Sequence, residues 1–538
     1  MTVEAAGSFG DPLAEIKAEL AAMREQLARL EAERDEYKKL FLLLREQNEK
    51  LKLGLVGQKA EHLDPNDRQL SLSILEMLLG KTGEPAATQT ELVRAHERKK
   101  PTGRKPLPEH LPRVEVELIP LDVQREGLEK FDRIGEETSE TLERRPSSTV
   151  VVVTRRPKFA RKDRLRHGAT QVLIADVPEL PIQRGLAGPG LLADTIVRRW
   201  QDHQPLHRIE RIFARDGVEL ARSTICGWHK ELAELARPVV DAMRQDALTQ
   251  PYLCTDATGV LVRAPQKCRN GHFWVLVAPG RHVLFDYTPH HDSPSVDQLL
   301  AGYEGYLVAD AHAVYDHLYK SGKVIEVGCW SHLRRYFFKT LGSEPERARE
   351  ALALIGELFA IERTVDRAPP AERLKVRQEK SQPIVTRFFA WRDELAPAVL
   401  DETPLAKALG YARNHRTAFE RFLEDGRLPM HNNWSELQLR RQVLGRKNWL
   451  FVGSDEAAGV NTTFVSLLAS CGMHGVEPWA YLRDLLCLLP SWHRSRVLEL
   501  APVNWQQTLE QQDTQQRLAA NPFRTAILAL ERDHPDEK

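Results

Sequence analysis

YLCTDATGVLV at residues 252–262 and GYLVADAHAVYD at residues 305–316 decide the fold. Each is a β-rich apolar run that carries an aspartate, Asp256 or Asp310, where a buried strand ends or breaks. Between them lie HFWVLVAP (272–279) and HVLFDYT (282–288), two further strands separated by turn residues, and the helix-compatible SVDQLLAGY (295–303). After Asp310 come a helix, the strand VIEVG (324–328) and the helix SHLRRYFFKTL (331–341). Three neighbouring strands followed by alternating strand and helix predict a mixed α/β sheet with Asp256 and Asp310 on or at the ends of its central strands.

A carboxylate in such a place is costly unless it is paired, hydrogen-bonded or bound to a cation. Two neighbouring carboxylates repel, and a divalent metal removes that penalty. The pattern suits two-metal phosphoryl transfer, in which one ion activates the attacking oxygen and the other stabilises the leaving oxygen. An aspartate at a strand end also serves as a plain helix cap or turn residue, and two aspartates alone do not separate these readings.

A third acid comes from RLPMHNNWSELQLRRQVLGRKNWLFVGSDEAA (427–458). Asn432 or Asn433 would cap a helix and Glu436 would fall in its first turns, where a capping role is the plain alternative to catalysis. Glu456 is the competing acid of this segment. Arg440, Arg441, Arg446 and Lys447 follow close behind Glu436, where a DNA backbone would lie if the acid is catalytic. Residues 345–425 read as helices.

Toward the N-terminus, Leu13, Ile16, Leu20, Met23, Leu27, Leu30, Tyr37, Phe41, Leu44 and Leu51 fall on alternating steps of three and four, broken only by Arg34 and Asn48. That is a heptad seam over 12–53 with polar other faces, a coiled coil that would join copies of the chain. Residues 54–113 read as a connector whose Lys99, Lys100, Arg104 and Lys105 could meet phosphates or stay solvated. Residues 114–175 hold two strand-like runs, VEVELIPL and STVVVVT, and then RRPKFARKDRLRH (155–167). Its Arg155, Arg156, Lys158, Arg161 and Lys162 form part of the densest basic stretch, a candidate DNA-backbone contact set against a solvated charge run. Residues 176–245 read as a helix-turn-helix domain. LHRIERIFAR (206–215), a turn at Gly217 and LARSTICGWHKEL (220–232) leave Arg222, Ser223, Thr224 and Lys230 on the outer face.

Composition bounds the alternatives. The chain has 538 residues, enough for several domains. Lys and Arg total 76, as do Asp and Glu, so any nucleic-acid signal is local. Six scattered cysteines form no C-x-x-C pair, which argues against a disulfide framework and a zinc finger. No apolar run reaches membrane-spanning length and the acidic N-terminus is unlike a signal peptide, so a cytoplasmic, nucleoid-associated protein with no membrane partner is expected.

GRKPLPEHLPR, YLCTDATGVLV, YLVADAHAVYD, CWSHLRRYF, HNNWSELQLRR and GRKNWLFVGS stand in the order of the insertion-sequence-66 family of bacterial DDE-type transposases, which the chain resembles over nearly its whole length. The resemblance implies an α+β multidomain protein. It would comprise the coiled coil, a degenerate zinc-finger-like strand module (114–175), the helix-turn-helix domain, a ribonuclease-H-like mixed α/β core (250–342 and 427–476), a helical insertion (343–426) and a C-terminal helical region (477–538). It further implies that Asp256, Asp310 and Glu436 are the catalytic and metal-binding acids, holding two Mg²⁺ or Mn²⁺ ions. Asn432, Asn433 and His332 would support the site, and Arg334 and Arg335 would contact DNA. The expected partners are terminal inverted repeats, target DNA, further copies of the chain and accessory proteins of the same element. Three departures stand out. The family's cysteine pairs are missing, so no zinc is expected. Ala257 and Gly259 replace an acid and proline after the first aspartate, and Ala311-His312 replaces Gly-Tyr after the second. The lost cysteines leave a second reading, a decayed or domesticated DNA-binding repressor.

Overall fold

The computed structural model describes residues 20, 23–38, 40–42, 107–145, 148–162, 172–183 and 185–533. Residues 23–38 and 40–42 are helical, and Met23, Leu27, Leu30, Tyr37 and Phe41 of the heptad seam are exposed. Leu20 is exposed as well, whereas Leu13, Ile16, Leu44 and Leu51 lie outside the described residues, as do Lys99, Lys100, Arg104 and Lys105. The chain divides into two compact units, one of residues 1–103 and 330–427 and one of residues 104–329 and 428–538.

The larger unit holds two sheets. Strands β1 (Arg113–Glu117), β2 (Phe131–Arg145), β3 (Ser148–Arg161) and β4 (Val172–Ile174) form the first, with β3 between β1 and β2 and β4 paired to β3. β1 runs parallel to β3, and β2 runs antiparallel to it. Two features were not evident in the sequence. FDRIGEETSETLERR is itself a 15-residue strand, and the basic run continues strand β3 instead of following it. Both follow from charge pairing across the ladder, which substitutes for apolar alternation on an exposed face. Arg155 pairs with Glu115 at 2.8 Å and Glu136 at 3.0 Å, Arg156 with Glu137 at 2.6 Å and Lys158 with Glu137 at 2.9 Å.

The second sheet contains β5 (Tyr252–Val262), β6 (Arg269–Ala278), β7 (His282–Thr288), β8 (Gly305–Val308) and β9 (Val324–Val327), in the order β7-β6-β5-β8-β9. β5, β6 and β7 are an antiparallel meander, and β8 and β9 continue parallel to β5. The runs Trp274–Ala278 and Val283–Phe285 are buried, and each fully buried large apolar side chain contributes roughly 1.5–3 kcal/mol.

Helices then cover what the strands leave open. α1 (Pro189–Ile196), α2 (Leu206–Arg215) and α3 (Arg222–Ala247) precede the second sheet. The α2–α3 turn contains Gly217 at φ 75°, and a Cβ there would lie 2.3 Å from the His110 ring. Ile209, Phe213, Leu220, Ile225 and Trp228 are buried, as the helix-turn-helix pattern predicts, although α3 runs on for 26 residues in all.

In the smaller unit, α4 (Trp330–Lys339), α5 (Pro345–Thr364), α6 (Gln382–Leu395) and α7 (Pro404–Asn414) build an all-helical body. Trp330 is fully buried against Phe388 and Phe419, and its Nε1 donates to the Phe419 carbonyl at 3.0 Å.

The chain then returns to the larger unit as α8 (Asn433–Trp449), α9 (Asp455–His474) and α10 (Pro478–Leu488). α9 closes the outer edge of β7. Ser466 Oγ accepts from Phe285 N at 2.8 Å and Ser470 Oγ accepts from Val283 N at 3.0 Å. Serines four apart share one helix face, so they match alternate amides of the strand. An edge amide left buried and unpaired would cost about 1–3 kcal/mol.

Candidate active site

The ladder between β5 and β8 sets the first two acids. Tyr252 pairs with Tyr306, Leu253 with Leu307 and Cys254 with Val308. The pairing stops there, two residues before Asp256 on β5 and two before Asp310 beyond the end of β8, so both acids follow directly on the same ladder. Each carboxylate is held locally: Asp256 Oδ1 accepts from Ala257 N at 2.7 Å, and Asp310 Oδ1 accepts from His312 N at 3.1 Å. Both are half-buried. Buried Tyr315 feels both charges. Burial first, then the Asp310 charge and more weakly that of Asp256, push its phenol well above the usual range. Both carboxylates therefore act on one buried group.

The turn after Asp310 is strained. Ala311 has φ 56°, a left-handed conformation that costs a Cβ-bearing residue about 1–2 kcal/mol. It lets the chain double back so that His312 N reaches Asp310. His312 Nδ1 accepts from Val314 N at 3.3 Å, which starts a short helical turn at Ala313.

Glu436 reaches the sheet through Asn432, which is fully buried. The Asn432 side chain makes no capping bond to α8. Its Nδ2 instead donates to the Thr255 carbonyl at 2.7 Å, one residue before Asp256, and its backbone N donates to Cys329 Sγ at 3.2 Å. Ser435 Oγ donates to Asn432 Oδ1. Positions four apart on a helix share a face, so Glu436 projects on the side of α8 that Asn432 ties to β5. A Glu436 carboxylate oxygen and Cys329 Sγ come within 4.8 Å. Among the described residues, no metal-binding cluster tighter than that distance contains all three acids together.

Histidines gather beside Asp310. His291 stacks on Trp274 with ring centroids 4.7 Å apart, and His272 and His312 lie 5.1 Å and 4.7 Å from it. Burial and then the neighbouring imidazoles hold His291 below its ordinary pKa, while Asp310 opposes them. Of these, the sequence points to His312, through the Gly-Tyr replacement, and to His272, whose C-x-x-x-H spacing from Cys268 reads as a turn beside a strand and not as a zinc site. His291 and Tyr315 carry no local signal, because their place depends on strands remote in sequence.

The cations behind Glu436 separate into two groups. Arg446 Nη1 donates to Thr258 Oγ1 at 2.9 Å and to the Gly259 carbonyl, so it staples α8 to β5. Arg441 Nη1 donates to Gln201 Oε1 at 2.8 Å. Arg440 and Lys447 are exposed. Asn433, the first residue of α8, is half-buried. Arg222, Ser223, Thr224 and Lys230 are exposed along the start of α3, as expected from the outer face of a helix-turn-helix. Arg222 pairs with Glu210 at 3.0 Å and Lys230 with Glu456 at 2.9 Å, which occupies the competing acid away from the aspartates. Arg161 pairs with Glu126 and Lys162 approaches Asp132 at 3.9 Å. His332, Arg334 and Arg335 all lie on α4 of the smaller unit, His332 half-buried and both arginines exposed.

Family models match most of this chain. One described as "Transposase IS66 family" covers residues 184–460, the span that contains all three acids. "Transposase C of IS166 homeodomain" matches residues 43–116 and "IS66 C-terminal element" residues 466–503. The chain is 32% identical to uncharacterized protein y4qI of Sinorhizobium fredii (strain NBRC 101917 / NGR234), over 91% of this chain and 94% of that protein. It is 28% identical to uncharacterized protein y4hP of the same organism, over 85% of this chain and 87% of the relative.

Proposed function

Because the chain belongs to the IS66 family of transposases, we propose that it binds the terminal inverted repeats of a mobile element, cleaves there and joins the freed ends to target DNA. Asp256, Asp310 and Glu436 are the acids of this reaction, on a ribonuclease-H-like core. The observation that carries the reading is the Asn432–Thr255 hydrogen bond. It fastens the start of the helix bearing Glu436 to the residue before Asp256, whose parallel neighbour leads into Asp310. The sheet order, an antiparallel meander extended by two parallel strands from its first member, supports the core assignment.

Three carboxylates form a hard-oxygen donor set suited to Mg²⁺ or Mn²⁺. Bound there, two such ions would activate the attacking oxygen and stabilise the leaving oxygen. The protein's own part is positional. The two aspartates follow directly on the β5–β8 ladder, the Ala311 turn holds Asp310, and Asn432 with Arg446 ties α8 to β5. Water attacks the phosphorus at the element's end and the 3′ oxygen departs. That 3′-hydroxyl then attacks a target phosphodiester, one P–O bond forming as another breaks.

The exposed heptad side chains of residues 23–41 support self-association through the N-terminal coiled coil. Arg222, Ser223, Thr224 and Lys230 on α3 suit sequence reading in the major groove. Exposed Arg440 and Lys447 on α8 suit backbone contact, as do exposed Arg334 and Arg335 on α4, whereas the β3 cations, like Arg222 and Lys230, must leave carboxylate partners to meet DNA. Among the described residues, no helix is long and apolar enough to cross a membrane, which suits a nucleoid-associated role.

The test is cleavage and joining of duplexes carrying the element's own ends, with Mg²⁺ or Mn²⁺. Asp256→Asn, Asp310→Asn and Glu436→Gln should each abolish both steps while end binding persists. Cleavage that continues unchanged in these variants refutes the assignment. Tight end binding by a wild-type protein that never cleaves, even with the element's companion proteins, would leave the repressor reading.

A further inference from the structure

A second site lies at the other end of α8. A cavity of about 390 Å³ in the larger unit is lined by Arg199, Trp200, Cys226, Lys230, Trp449 and Phe451, among others. Arg199 and Trp200 sit on a π-helical turn, Val197–Gln201, that continues α1. Such turns are rare and recur at functional sites. His203, just beyond it, has φ 57°, a second local strain.

Two polar groups in this wall are incompletely satisfied by the protein. Trp200 is only 8% exposed, and its buried indole Nε1–H has no acceptor among the described residues. A buried indole normally finds one. Arg199 forms no ion pair with a carboxylate among the described residues. It donates to the Gln204 carbonyl at 3.3 Å, and its guanidinium lies over the Trp200 ring at 4.6 Å and the Trp449 ring at 5.7 Å. Burial lowers its pKa to about 10, so the cation is poorly solvated where it stands. The wall thus offers aromatic faces, a buried donor and, at Arg199, a cation without a counter-charge; its other cation, Lys230, is paired with Glu456, which also lines the cavity. The complementary ligand has a flat π-face, hydrogen-bond acceptors and negative charge.

We propose that this cavity captures one nucleotide unstacked from the DNA end, its base against Trp449 and Phe451 and its phosphate toward Arg199. The proposal rests on the transposase reading and adds a site to it. Cys226 and Lys230 belong to the first turns of α3, so the cavity opens beside the helix that would read the duplex. Trp449 is 13 residues beyond Glu436 on α8 (449 − 436), about 20 Å along the axis at a rise of roughly 1.5 Å per residue. At about 3.4 Å per nucleotide, the captured base lies on the order of six steps from the scissile phosphate. Unstacking there would hold the end in register between recognition and cleavage, and aromatic stacking of a free base tolerates any sequence.

The experiment uses the full chain and duplexes of the element's own end, with 2-aminopurine placed at one position at a time. With wild type, one position should change its fluorescence several-fold on binding. Trp449→Ala should lose that response and bind roughly 5- to 150-fold more weakly, the range for a lost base–aromatic stack. Phe451→Ala, which truncates an exposed side chain, should weaken both in the same direction without affecting the fold. On a duplex with an abasic residue at the responding position, Trp449→Ala and wild type should bind alike. Binding with no responding position, or a response unchanged in both variants, overturns the proposal alone. Failure to bind any end duplex overturns the transposase reading and this site with it.

Discussion

Removing the Asn432 side chain should damage the fold and the reaction together. Asn432 is fully buried, and its amide spans the gap between α8 and β5 at 2.7 Å. In Asn432→Ala the Thr255 carbonyl loses its donor inside the protein, at about 1–3 kcal/mol for a buried polar group left unsatisfied. Ser435 Oγ keeps its 2.9 Å bond to the Asn432 backbone carbonyl, so that hydroxyl adds little to the loss. The small void left by the amide adds a fraction of a kcal/mol, for an expected total of about 2 kcal/mol. Asn432→Asp should cost more, because it sets an acceptor against the Thr255 carbonyl and buries a charge near Asp256. Denaturant unfolding of the full chain measures the first effect. Metal-dependent cleavage of an end duplex measures the second. A shift of about 1 Å at Glu436 is worth about 100-fold in rate, so the loss of activity should exceed what the unfolded fraction explains. Asn432→Ala and Asn432→Asp proteins that match wild type in both stability and cleavage would refute the idea that this hydrogen bond assembles the site.

Ala311→Gly should stabilise the chain by about 0.5–1 kcal/mol, the left-handed strain relieved less the greater unfolded-state freedom of glycine, while Ala311→Val should cost more than about 1 kcal/mol. Unfolding midpoints of the two variants would show it, and a destabilising glycine would contradict the strain. Glu143 supplies a pH test. Burial raises its pKa from 4.5 to about 7, against hydrogen bonds from the backbone N–H groups of Arg144, Gly190 and Leu191. Between pH 4.5 and 7 the folded chain holds a proton that the unfolded chain has released, so stability falls as pH rises through that window. The Glu143 contribution is unfavourable by up to about 3 kcal/mol above pH 7. Glu143→Gln should therefore gain on wild type between pH 5 and pH 8 in denaturant midpoints; a gap that stays constant or narrows would reverse the sign.

The sequence was most readable where burial is uniform. The runs Leu253–Thr255, Trp274–Ala278 and Val283–Phe285 are buried without alternation, and such runs announce strands whatever their neighbours are. The two helices on either side of Gly217 were equally plain, since Ile209, Phe213, Ile225 and Trp228 fall at helical spacing around a turn that needs glycine. β2 escaped notice because Glu136, Glu137 and Glu140 give it no apolar face to recognise. Its stability comes from Arg155, Arg156 and Lys158 of β3, a pairing that exists only once the two strands are in register. The same register turned a basic stretch that suggested a bare DNA-binding surface into a strand whose cations already face carboxylates.

The candidate site divides along a similar line. Asp256, Asp310 and Glu436 could be picked out as acids at strand ends or beside an Asn pair, and the family resemblance grouped them as one candidate set. What ties α8 to β5 could not be. Asn432 looks like a helix cap in sequence, and the cap position is where it lies, but its amide is turned to the Thr255 carbonyl 177 residues away. Arg446 looks like a phosphate contact, yet it is bound to Thr258 and Gly259 of the same strand. Both side chains act on β5 from α8, on either side of the turns that carry Glu436. The helix is thus fixed at two points to the strand holding Asp256, while Asp310 follows the end of β8, the parallel neighbour of that strand, and is held by the Ala311 turn. The candidate acids are visible locally because the proposed chemistry limits the choice to carboxylates. The contacts that tie α8 to β5 come from residues that also suit ordinary capping or surface positions, and only the folded chain distinguishes these roles.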